Sequence, residues 1–314
     1  MAASVTERAE PQDSAAPVRV RRRVAAERRR PARVPRSAQQ RRPFELDGSI
    51  VVALGLLAMF ALIALFAAYL LVGSRMAASR HQDVLYGQLK EDLALATVPV
   101  GGVIATGTPV GIVEVPKLGL EQVFVIGSAS EQTLDAPGLR HDSVLPGQAG
   151  ISVIVGRRAT GGAPFAHLDE MRVGDTIKVT TGQGVFTYVV DLVRTSDAPD
   201  AQIEQADSRL TLVTSDPAYA PSRTLQVSAV IDGVALPAST GAATVADDAP
   251  GAGSHDRGVA LLLWAQLLLL LVVVVTWASV RLPTRAIWIG AVPVLLAVLW
   301  NVYANLAALL PNTL

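Results

Sequence analysis

No cysteine occurs in the 314 residues, which excludes a disulfide framework, a cysteine metal site and any thiolate nucleophile. Histidine is scarce as well: His81, His141, His167 and His255 are the four in the chain. Net charge is also missing, since 27 basic residues balance 27 acidic ones. That balance averages over segments of very different character, so it excludes nothing about local charge. Apolar residues make up 51% of the chain but are unevenly placed, so much of the length is not globular core.

Eleven arginines and a single acid, Glu27, fall within residues 19–42, interleaved with proline and alanine. Self-repulsion and the lack of large apolar residues predict a disordered tail over 1–48. A nucleic-acid-binding arm would have similar composition. The hydrophobic run that follows favours a tail at a membrane, and no nucleic-acid partner is expected. Residues 50–72 carry no charge in 23 positions, long enough as a helix to cross the hydrocarbon layer. The run is too long and too far along the chain for an ordinary signal peptide, and predicts a retained transmembrane helix over 49–73. Two further apolar runs predict spans over 257–280 and 286–310, joined by a short turn holding Arg281 and Arg285. Proline is tolerated in such spans, so Pro293 does not break the pattern. Trp277 and Trp288 flank the turn as an aromatic belt would. The basic tail and basic turn are expected inside, which sets the large domain and Leu314 outside and makes the protein multi-pass in the cell membrane.

Between the first two spans, residues 74–97 have few helix breakers and predict a juxtamembrane helix. Residues 237–256 are a Gly, Ala, Ser, Pro and Asp linker. From 98 to 236 the period changes. Short runs rich in Val, Ile and Thr, such as GISVIVG, DTIKVTT and SRLTLVTS, are separated by Gly, Pro, Asp or Ser turns. The expected fold class is all-β: a closed barrel of seven or eight strands with short helices, to which the transmembrane helices are added. About 140 residues suffice to bury a core.

Within that core an ordered series of short motifs resembles the sortase family, the membrane-anchored cysteine transpeptidases of Gram-positive surfaces. It begins with Val115, Pro116, Lys117, Leu118, Gly119 and Leu120, and continues with Pro137 and Gly138, then Leu145, Pro146 and Gly147. VIVGRR follows, then Pro164 and Phe165, HLDEMRVGD ending at Gly174 and Asp175, Tyr188, TLVTSDP, and Arg223. The short stretch SDPAYAPSR looks most like the class E type of actinobacteria. The resemblance implies a sortase-like barrel and three catalytic positions: a histidine, a cysteine and an arginine. Arg157 stands at the first, Ser215 at the second and Arg223 at the third.

Two of the three positions have therefore changed. A serine hydroxyl needs a positioned general base, and a guanidinium that stays protonated cannot be one. Neighbours on a strand point apart, so Asp216 is poorly placed to activate Ser215. The expectation is an inactive sortase-like protein whose groove, lined by Arg157, Ser215 and Arg223, binds a sorting-signal peptide or a cell-envelope protein. Two cations near one groove would also suit an anion, or one of them would pair with Asp216. Two alternatives stand beside it: a serine-dependent peptidase or transpeptidase using Ser215, and a structural membrane component acting through its C-terminal helices. No cofactor and no metal is expected, and Gly161, Gly162 and Pro164 read as loop punctuation.

Overall fold

A computed structural model describes residues 48–197, 208–238, 257–281 and 284–314. The arginine-rich stretch to residue 47, most of the linker (239–256), His255 and residues 282–283 of the turn lie outside the described residues. Contacts divide the chain into residues 1–55 and 56–314, and the barrel belongs to the second unit.

Helix α1 covers Gly48–Ala68; after a π turn at Tyr69–Gly73 the chain continues directly into α2, Ser74–Ala94. The strands are β1 Pro109–Val115, β2 Leu120–Ile126, β3 Gly138–Leu139, β4 Gly150–Val155, β5 Thr176–Thr181, β6 Gly184–Ser196, β7 Ser208–Asp216 and β8 Arg223–Ile231. They close into a barrel in the order β1, β2, β3, β4, β7, β8, β6, β5. A short helix α3, Ser130–Asp135, lies between β2 and β3, and two long helices follow the barrel, α4 at Arg257–Arg281 and α5 at Thr284–Ala308.

Strand period explains the core. Ile177 and Val179 on β5, Leu210 and Leu212 on β7, and Leu225, Val227 and Ala229 on β8 alternate into one buried cluster with Phe124, Ile154, Phe165 and Met171. Burying each large side chain contributes about 1.5–3 kcal/mol. Helix α2 covers β1 and β2 from outside: Leu89 packs with Val98, Ile112 and Val123, flanked by Leu85 and Leu93 at four-residue spacing. Gln82 on the same side accepts from Val123 N at 2.9 Å and donates to Val123 O at 3.0 Å, so an otherwise unpaired strand position is satisfied.

The barrel has eight strands, but the all-β class is wrong, because 44% of the structure is helical and three helices are long. The counting of short Val, Ile and Thr runs described only the middle of the chain. Uncharged runs of more than 20 residues satisfy their backbone groups as helices, and α2 extends the first of them by 21 residues. Among the described residues three helices are long and apolar enough to span a membrane, Leu56–Ala94, Arg257–Ser279 and Ile287–Ala308, giving three candidate spans and a multi-pass topology. Near the barrel the first and last of them meet through Tyr69, whose ring stands edge-on to Trp300 at 4.8 Å between centroids, and through Tyr303, whose hydroxyl donates to Leu62 O at 2.9 Å. Asn301 and Asn305 donate to carbonyls of their own helix, at Ala297 and Asn301.

Candidate functional site

Parallel pairing of β4 with β7 builds the site. Val155 lies opposite Val213, Gly156 N donates to Val213 O at 3.0 Å, and Thr214 Oγ1 donates to Gly156 O at 2.8 Å. The chain leaving β4 at Arg157 and Arg158 therefore runs beside Ser215 and Asp216 at the end of β7. Across the antiparallel β7–β8 pair, Ser215 faces Thr224 and Asp216 faces Arg223.

The two adjacent arginines take opposite directions, as neighbours in extended chain do. Arg157 is wholly buried: its Nε donates to Thr133 Oγ1 at 3.3 Å, Nη1 to Thr160 Oγ1 at 2.8 Å, and Nη2 to Ser130 O at 3.0 Å and Ser130 Oγ at 2.5 Å. Burial pulls its pKa down to about 9, with the charge of Asp135 opposing the shift, so the side chain remains a cation at neutral pH. Gly161 closes over it at φ 59°, where an added Cβ would lie 2.9 Å from Arg157 Cδ and 2.8 Å from Leu134 O. The glycine is required by this close approach and is more than loop punctuation.

Arg158 turns the other way. Its Nη1 donates to Ser215 O at 2.9 Å and to Asp216 Oδ1 at 2.8 Å, and its Nη2 reaches Asp169 Oδ1 at 3.0 Å. Arg223, half exposed, donates through Nη2 to Asp216 Oδ2 at 2.7 Å. Asp216 thus holds both cations, and no hydrogen bond joins Arg157 or Arg223 to Ser215. Arg157, Ser215 and Arg223 sit in one region but bond to three different sets of partners. Arg158, which binds the Ser215 carbonyl, was missed in the sequence; a second arginine beside the first, with an acid after Ser215, was the available signal.

Ser215 itself is 1% exposed, and its hydroxyl donates to the carbonyl of Thr313 at 2.9 Å. The residues after α5 fold onto the barrel here. Arg158 N also donates to Thr313 O at 3.2 Å, while Ala159 N and Thr160 N donate to Leu314 O at 2.9 and 3.0 Å. Ser130 Oγ donates to Leu310 O at 2.6 Å, and Asn312 Nδ2 donates to Ser128 O at 2.6 Å.

The Ser215 proton is therefore directed at a peptide carbonyl, which cannot remove it. His81 pairs with Asp135 at 2.5 Å, His141 with Thr106 Oγ1 at 3.0 Å and His167 with Glu170 at 3.0 Å. What surrounds Ser215 is a set of hydrogen-bond donors and a neutralised ion-pair cluster, suited to holding peptide backbone and not to proton abstraction. Among the described residues no group of three or more histidines and carboxylates converges as metal ligands would.

The other motifs have structural work in the barrel. Lys117 Nζ donates to Asp175 Oδ2 at 2.7 Å, which also accepts from Arg172 N at 2.6 Å. These bonds, that to Lys117 foremost, hold the Asp175 carboxyl below its ordinary value. Tyr188 Oη accepts from Gly147 N at 2.7 Å inside the barrel.

Residues 113–231 match the family model for the sortase domain. Sortase D of Bacillus subtilis (strain 168) is 31% identical over 98 residues, which is 31% of this chain and 48% of that protein. The chain thus spans about half the length of this curated relative. Among solved structures, a Clostridium perfringens Sortase D5 transpeptidase has a TM-score of 0.43 and 21% identity, covering 49% of this chain and 99% of that one. Sortase E from Streptomyces avermitilis has a TM-score of 0.37 and 27% identity, covering 41% and 91%.

The β-barrel is a sortase-superfamily domain with no cysteine. Loss of the cysteine from a sortase-like fold supports catalytic inactivity, in keeping with the hydrogen bonding of Ser215.

Proposed function

We propose that the protein is a catalytically inactive, membrane-anchored sortase-like protein whose groove beside Ser215 binds an extended peptide, either a sorting-type segment or part of a cell-envelope partner. One observation carries this reading: the Ser215 hydroxyl and the amides of Arg158, Ala159 and Thr160 converge on backbone carbonyls, while no base lies at the hydroxyl. Backbone-directed donors at a strand end are how extended peptides are held. Arg157, Ser215 and Arg223 contribute unequally. Ser215 touches the peptide, Arg157 supports Ser130 and Thr160 from below, and Arg223 neutralises Asp216.

The barrel lies outside the cell, with the arginine-rich stretch and the turn at 281–285 in the cytoplasm. Three contacts between helix ends and the barrel support this: Ser74 Oγ accepts from Gly161 N at 3.2 Å, Arg257 pairs with Glu131, and Ser130 meets Leu310. With these ends on one side, the turn between α4 and α5 falls on the other, where Arg281 and Arg285 satisfy the positive-inside rule. Within the superfamily, the short stretch between Ser215 and Arg223 supports a class E-like, actinobacterial type.

The test is a photoreactive sorting-type peptide offered in excess to the full chain in detergent micelles. Labelling is expected on β7 and β8, with the peptide uncleaved. Label confined to α4 and α5 would instead support a structural membrane component acting through its helices.

A further inference from the structure

The geometry points to a ligand that the protein already carries: we propose that residues 310–314, Leu-Pro-Asn-Thr-Leu, occupy the groove in cis as a tethered peptide, so that an outside peptide of the same chemistry binds only in competition with them. This deepens, and rests on, the reading of the groove as a peptide site.

At least six hydrogen bonds join the segment to the barrel. The carbonyls of Leu310, Thr313 and Leu314 accept from Ser130 Oγ, from Ser215 Oγ and Arg158 N, and from Ala159 N and Thr160 N. Asn312 is wholly buried and gives its amide to Ser128 O, and Thr313 is nearly as buried. A stretch that merely follows a helix frays into solvent, with its polar groups bonded to water. This one has its carbonyls matched to donors and one amide side chain matched to an acceptor, which is how a recognised peptide is held.

The contacts define a ligand class. Backbone carbonyls are read at three positions, so the part-exposed side chains of Leu310 and Leu314 are read weakly, while Thr313 is also enclosed. Pro311 has no N–H to leave unpaired. The residue after it is read by its side chain: a buried carbonyl, Ser128 O, requires a donor, so asparagine fits and a carboxylate is refused. The site is therefore one for a short peptide with an amide side chain directly after a proline.

Arg157 is the positioning residue of this cradle. It bonds Ser130 and Thr160, and both of these touch the segment, Ser130 at Leu310 O and Thr160 at Leu314 O. The cation at the position where the resemblance implies a histidine thus fixes the walls of the groove without entering it. Because α5 ends at Ala308, two residues before the segment, a free peptide competes against an effective concentration on the order of millimolar.

The test uses the absence of cysteine. In the full chain in detergent micelles, Ser215→Cys supplies the sole thiol, and its rate of reaction with a soluble maleimide reports whether the groove is covered. Slow labelling is expected, at least about tenfold faster on adding Asn312→Asp, which puts a carboxylate against Ser128 O. Millimolar acetyl-Leu-Pro-Asn-Thr-Leu-amide should slow the released variant again, and the peptide with aspartate for asparagine should not. Should Asn312→Asp disturb folding, seen as loss of strand circular dichroism, the chain ending at residue 308 takes its place. A rate within about twofold of the parent in both released variants overturns the cis ligand and leaves the peptide-site reading standing. A freed thiol that no peptide protects overturns the peptide site and with it the ligand class. Cleavage of the peptide by a released chain that keeps Ser215 overturns inactivity alone.

Discussion

Replacing Arg158 by methionine removes the cation that ties the end of β4 to the end of β7, and the structure sets the size of the loss. Of its three acceptors, Asp169 has a side chain 53% exposed, so that ion pair contributes about 0–1 kcal/mol. Ser215 O is buried and loses a charged donor, at about 1–3 kcal/mol. Asp216, 21% exposed, loses one of two cations and keeps Arg223 at 2.7 Å. The first two terms sum to about 1–4 kcal/mol. Arg223→Met alone should cost about 0–1 kcal/mol, since its side chain is half exposed. The double variant strips Asp216 of both partners, so its loss should exceed the sum of the single losses by about 1–2 kcal/mol. Hydrogen exchange of β7 and β8 amides in the detergent-solubilised full chain measures this, about 2 kcal/mol appearing as about thirtyfold faster exchange. Losses that simply add, or Arg158→Met within about 0.5 kcal/mol of the parent, would refute the shared role of Asp216.

Tyr188→Phe leaves Gly147 N without its acceptor inside the barrel and should cost about 1–3 kcal/mol by the same exchange measurement. Burial raises the Tyr188 phenol above its ordinary value, with the bond from Gly147 N opposing. The neutral phenol is therefore favoured by the fold: its contribution is complete below about pH 10 and is lost as pH rises through the higher folded value. Stability should fall more steeply above pH 10 in the parent than in Tyr188→Phe; equal slopes would contradict this. Gly161→Ala places a Cβ against Leu134 O and Arg157 Cδ at a positive φ, and should destabilise by about 1–3 kcal/mol, seen as faster exchange of α3 amides. An unchanged rate would mean that the loop gives way at no cost.

The strands were legible because their signal is local. Alternation in DTIKVTT and the turn residues between runs marked β5 and its neighbours without any knowledge of their partners. The two-residue β3 carries no period and was unreadable, although its pairing with β2 and β4 completes the barrel. Fold class failed for a different reason: α1, α2, α4 and α5 were each visible, but the class was drawn from the middle of the chain only. Ser215 and Arg223 are singled out in the sequence by their order along the chain. Arg158 was overshadowed by its neighbour, because which of two adjacent arginines points inward is decided by β4–β7 pairing across more than 50 residues. The sequence places the last span over 286–310 and Leu314 outside it, and assigns 311–314 no role. The Thr313 bond to Ser215 connects positions 98 apart, and no local pattern announces such a contact.

Inactivity of the groove is tested most directly by incubating the purified full chain, and its Ser215→Ala variant, with sorting-type peptides and an amine acceptor, then searching by intact-mass measurement for cleaved peptide, transfer product and an acyl group on Ser215. The account predicts no product and no adduct from either protein, because the Ser215 hydroxyl bonds a carbonyl and has no base. Turnover by the parent that disappears in Ser215→Ala, with an acyl adduct at that residue, would contradict it.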